Sequence, residues 1–174
     1  MKRIILITLS IIFILTSCAP KTIDVDTVVK EDSTLSMAKD GKTTFNYQGL
    51  IDLKFSEIKN TDSVKINNIS FSENQNGMLT LHKGGSGVFG PEDVNNIEKD
   101  AQDNNKYSEY VFNKDEIEVK DKIAVVKLRY LISSVSPDIK IEDIKRTVKL
   151  TMTVLNSKGK TIATKEVEFN VPQT

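Results

Sequence analysis

Four of the chain's eight glycines, Gly84, Gly85, Gly87 and Gly90, crowd into the segment HKGGSGVFGP, beside the only histidine, His82. Glycine lets successive backbone amides converge on an anion, so a phosphate or oxyanion nest is the first chemistry to test here. The spacing departs from both familiar patterns. A phosphate-cradling loop needs glycine followed by Lys and Ser/Thr, and Lys83 precedes the glycines. A nucleophile elbow needs glycine two residues either side of serine, and Ser86 has Gly84 before it but Val88 after it. Nothing marks a third member for a Ser86–His82 pair. The segment therefore reads either as a connector from strand to helix or as a binding loop in which Lys83, Ser86, Val88 and Phe89 meet a partner or lipid.

Oxygen-bearing side chains cluster twice, as Asp100, Asp103, Asn104, Asn105 and as the acids Asp115, Glu116, Glu118, Asp121. Both offer the hard oxygens that Ca²⁺ takes, but neither has the alternating spacing with a central glycine of a helix-loop-helix calcium site. Solvated faces are expected instead. One cysteine makes neither an internal disulfide nor a multi-thiolate metal site, and one histidine leaves zinc sites and catalytic triads short of parts. No catalytic residue, metal or cofactor is expected. A hydrolase or metal-dependent enzyme built on the glycine-rich loop and the acids remains as an alternative.

The lone thiol, Cys18, has a more specific setting. Lys2 and Arg3 open the chain, and Ile4 to Leu15 follows with ten apolar residues in twelve. A helix of that length rises about 18 Å, short of the ~30 Å hydrocarbon core, which suits a secretory leader better than a permanent span. The run closes on Leu15-Thr16-Ser17-Cys18. This resembles the lipobox of bacterial lipoproteins: an aliphatic residue, two small residues and a cysteine. The resemblance implies cleavage before Cys18 and a diacylglyceryl thioether on its sulfur. It implies membrane lipid as a partner, anchorage at the outer face of a cell membrane, and several acyl chains that together hold stably. Ala19 is not the Asp that tends to retain lipoproteins at an inner membrane. Small lipoproteins that intercept membrane-active bacteriocins share this size and anchoring, an alternative to a general envelope binding module.

The whole chain balances 24 Lys and Arg against 24 Asp and Glu, which gives no global pull toward nucleic acid, and no nucleic-acid partner is expected. Without residues 1–17 the chain keeps 22 bases and 24 acids. Charge is unevenly placed. Residues 92–122 carry ten acids and five bases, whereas residues 123–165 carry nine bases and three acids. Such asymmetry either orients a tethered domain over an anionic membrane or pairs across neighbouring strands. An envelope protein or peptide is the expected further partner.

The elements that must carry these groups are mostly strands. Residues 1–17 are a cleaved signal peptide, 18–42 a lipid-anchored flexible tether with one short strand near Thr34–Ala38, and 43–174 a single β-rich extracytoplasmic domain. From Phe45 to Phe55 the apolar positions recur every second residue, as they do in Ala124–Ile132, Val148–Val154 and Val167–Val171. Val64 and Ile66 share one parity and Ile69 and Phe71 the other, so a β-bulge at Asn67-Asn68 is needed to keep one face inward. Asn76-Gly77, Lys120-Asp121 and Asn156-Ser157-Lys158-Gly159 mark turns. Pro91-Glu92-Asp93, with Val94, Ile97 and Ala101 at helical spacing, predicts a short helix near 91–103. The fold class is mainly β: an antiparallel sandwich or strongly twisted sheet of seven or eight strands. The closing hairpin TMTVLNSKGKTIATKEVEFNV resembles that of immunoglobulin-like domains.

Overall fold

The computed structural model describes residues 21–39, 42–56, 61–72, 77–84, 89–90, 92–93, 96, 109–134 and 146–171. They form a β-sandwich of two sheets. In chain order the strands are β1 (Lys21–Thr22), β2 (Val25–Lys39), β3 (Lys42–Ser56), β4 (Thr61–Ser72), β5 (Gly77–Lys83), β6 (Tyr110–Asn113), β7 (Glu118–Lys120), β8 (Ile123–Ser134), β9 (Arg146–Asn156) and β10 (Thr161–Val171). A 3-10 turn, Lys114–Glu116, separates β6 from β7. The first sheet runs β1-β10-β9-β4-β6 and the second β2-β3-β8-β5, with β7 also on β8. All pairs are antiparallel except β1 with β10.

The inward period of two builds the core. Ile51 and Leu53, Val126 and Leu128, and Val148 and Val154 are each fully buried between the sheets. The bulge falls where the parity change predicts it. Asn67 pairs with Thr151 and Ser70 with Lys149, so β4 carries one extra residue, and Asn68 takes φ 51° to absorb it. Ile69 and Phe71 then pack against the core. Gly49 shares the inward parity because the ring of Tyr130 fills its place. A Cβ there would sit 2.6 Å from that ring and collide with the carbonyl of Lys30.

Two hairpin turns follow simple rules. Lys120 pairs with Ile123, and Asp121 and Lys122 between them both have positive φ, 51° and 65°. That is a two-residue type I′ turn, whose twist matches the flanking strands. At the β9–β10 turn, Gly159 takes φ 70° and donates to Asn156 O at 2.8 Å. The Asn156 side-chain oxygen accepts from the amides of Lys158 and Lys160.

The expected tether requires correction. Residues 21–22 and 25–39 are strands, and Ile23 between them is buried. Among the described residues the strands begin at Lys21, ahead of Thr43. The period of β2 is hidden in the sequence by a register shift between Glu31 and Ser33, and as an edge strand it pairs only with β3 among the described residues. Asn76-Gly77 also marks no hairpin, because β4 and β5 lie in opposite sheets. Of the expected helix, Glu92, Asp93 and Asn96 are helical, and the remaining positions lie outside the described residues. Gly90 N donates to Asp93 Oδ2 at 2.9 Å, the backward half of a capping box around Pro91.

Candidate functional site

Phe89, the described residue that follows the glycine-rich run, is held on the outer face of the second sheet. There β3, β8 and β5 place Gln48, Leu131 and Thr80 in one row, and Leu50, Arg129 and His82 in the next. Gly84 still donates to Lys127 O at 3.2 Å and takes φ 126°, a conformation open to glycine. Phe89 lies on the sheet. Gln48 grips the backbone of Phe89 in both directions: its Nε2 donates to Phe89 O at 3.3 Å and its Oε1 accepts from Phe89 N. The Phe89 ring lies 4.2 Å from the Arg129 guanidinium and meets His82 edge-on at 5.1 Å.

Phe89 is only 4% exposed, so its ring is turned onto the sheet rather than out to a partner or lipid. This departs from the reading in which the loop offers Phe89 outward. The physical reason is local: the side chains beneath provide an amide clamp, a cation and an aromatic edge in one place. His82 pays with basicity. Burial, and then the nearby Arg129 charge, lower its pKa from 6.5 to about 4. A neutral imidazole with that pKa is a weak proton acceptor near neutrality, and its Nε2 lies 3.3 Å from Thr80 Oγ1.

Lys83 closes the side of the sandwich. Its ammonium lies 2.7 Å from the Glu116 carboxylate and 2.6 Å from Val111 O, and 5.2 Å from the Phe112 ring centroid. Lys83, then the Asn113 amide, hold the Glu116 carboxyl below its ordinary pKa. Tyr110 donates to Leu81 O at 2.5 Å, a second tie between β6 and β5. Of the second acidic cluster, Glu116 is thus engaged and Glu118 pairs with Lys127 at 2.8 Å. Ser86, Val88 and the cluster at 100–105 lie outside the described residues, as do Leu15, Thr16, Ser17 and Cys18. Among the described residues no group of three or more His, Cys, Asp or Glu is placed to hold a metal.

A groove elsewhere on the surface was not foreseen in the sequence. On the first sheet, a shallow groove of about 460 Å³ runs over β4, β9 and β10 between Asn68, Thr151, Lys149, Glu166 and Glu168. It opens where the Asn67-Asn68 bulge displaces β4, and the bulge was its one available signal. Lys149 and Glu168 pair across it at 3.0 Å, both largely exposed. The groove is polar and open, suited to contacts with an extended chain or a polar surface more than to enclosing a small molecule.

Compared with known proteins, the chain matches no protein-family model, no curated protein and no solved structure.

Proposed function

We propose that this chain is a lipid-anchored lipoprotein of the cell envelope, acting as a non-enzymatic binding module close to the outer membrane face. The observation that carries this is the pattern Leu15-Thr16-Ser17-Cys18 after a basic start and an apolar run, ending three residues before β1. A folded domain that starts so soon after an acylated cysteine is held against the bilayer. The strand order supports the module reading. Taken without β1, β6 and β7, the sheets run β2-β3-β8-β5 and β10-β9-β4. That is the A-B-E-D and G-F-C order of a constant-type immunoglobulin sandwich, a scaffold whose loops and edges serve recognition. At the far end the rungs from Ser36–Phe45 to Lys39–Lys42 extend past the β3–β8 pairing, a ribbon of roughly 14 Å at ~3.4 Å per residue.

Metabolic labelling with an alkyne-tagged fatty acid tests the anchor. The native chain is expected to take the label and fractionate with membranes, and Cys18→Ala is expected to lose the label. A native chain that carries no acyl group would overturn the reading.

A further inference from the structure

We propose that the end of the sandwich where β1 begins rests on an anionic phospholipid surface, with the β7–β8 hairpin tip at headgroup depth. This rests on the lipid-anchor reading and goes on to name the lipid chemistry and the face that meets it.

The topology fixes which parts share that end. β1 runs parallel to β10 with Lys21 opposite Ala163, so β1 starts beside the β9–β10 turn. Val25 lies opposite Phe55, and Ser56 opposite Ile123, which puts the β7–β8 turn at the same end. Thr61 opposite Asn156 closes the set. Cys18 is three residues from Lys21, a reach of at most about 11 Å at ~3.3–3.6 Å per residue. An acylated Cys18 would hold all these turns within contact distance of the headgroups.

The surface they present suits such a neighbour. Val119 is 58% exposed and Ile123 45%, two of the three large exposed apolar side chains among the described residues. They flank the Asp121-Lys122 turn on opposite faces of the ribbon, so an edgewise tip carries apolar groups on both sides. Lys21, Lys120, Lys122, Lys158 and Lys160 are all exposed at this end, and among the described residues none is in an ion pair. Among the described residues the acids there are fewer: Asp24, Asp26, Asp115 and Asp121, with Glu116 and Glu118 taken up by Lys83 and Lys127. Lys122 holds its ammonium at the turn at φ 65°, where glycine would sit without strain. Apolar tips ringed by lysines bind anionic bilayers by partial insertion plus Coulomb attraction, at about five-fold per lysine near the surface.

The test uses the full acylated chain in vesicles, with a single new thiol at Ser157→Cys in the β9–β10 turn or at Asn170→Cys near the opposite end. Cys18 is consumed as a thioether, so a charged, water-soluble maleimide reads only the new thiol. At Ser157→Cys, labelling is expected to slow at least about five-fold in phosphatidylglycerol vesicles relative to phosphatidylcholine, the effect of one lysine's contact. Asn170→Cys is expected to react equally in both. Lys120→Glu with Lys122→Glu, and separately Ile123→Ser, are expected to restore fast labelling at an unchanged thermal midpoint in detergent. Equal rates in both lipids, with the protein still floating with the vesicles, would overturn the docking and leave the anchor standing. A chain that does not float and whose Cys18 itself reacts would overturn both.

Discussion

The outer faces of the two sheets are built from similar residues and end in opposite states. On the first sheet, Lys149, Glu166 and Glu168 lie exposed around an open groove. On the second, Gln48, Asp52, Thr80 and Ser133 are all less than a tenth exposed, and Leu131 is buried among them. Polar side chains at outward positions are ordinarily solvated, so their burial means that other groups cover them. Phe89 supplies part of that cover. The core between the sheets is held by apolar area, whereas this second layer is held by an amide clamp, a ring over a guanidinium and a desolvated imidazole. A layer of that kind depends on a few groups, each in its place.

The difference can be broken at its strongest point first. Phe89→Ala removes the ring on which Arg129 and His82 pack, and is expected to cost about 3–5 kcal/mol of unfolding free energy in urea titration. A loss below about 1 kcal/mol would mean that Phe89 does not seal the face.

Acid probes the same layer. His82 has a folded pKa near 4, below its ordinary 6.5, so folding excludes its proton. Its contribution is full above pH 6.5 and is lost as pH falls from 6.5 toward 4, amounting to roughly 2–3 kcal/mol at the lower end. His82→Asn is expected to flatten the stability profile over that window relative to the native chain. Parallel profiles would contradict a buried neutral imidazole.

Gln48→Ala leaves the Phe89 amide and carbonyl without their clamp and is expected to cost about 1–2 kcal/mol. On the open sheet, Lys149→Ala or Glu168→Ala breaks an exposed pair and is expected to change stability by about 0.5 kcal/mol or less, read in the same titration. Comparable losses on the two faces would erase the distinction.

Legibility in the sequence followed the same division. Where one face packs apolar side chains and the other meets water, period two marks the strand, and Val148, Leu150, Met152 and Val154 are buried as that period demands. The bulge at Asn67-Asn68 and the glycine turn at 159 were readable because each leaves a local signature. The β7–β8 turn was readable to within one residue, at Asp121-Lys122 rather than Lys120-Asp121. The cover was hidden because Gln48 and Thr80 look like any solvent-facing residues until a remote segment folds onto them. β2 was hidden by its register shift and single paired edge. Cys18, the residue on which the proposed function turns, lies outside the described residues, and its reading rests on four residues of pattern and the apolar run before them.

The most direct test is the mass of the peptide that begins the mature chain. Digestion of protein extracted from membranes is expected to yield a fragment starting at Cys18 and ending at Lys21, heavier by a diacylglyceryl group on sulfur. A fragment with free Cys18, or one still joined to residues 1–17, would contradict the account.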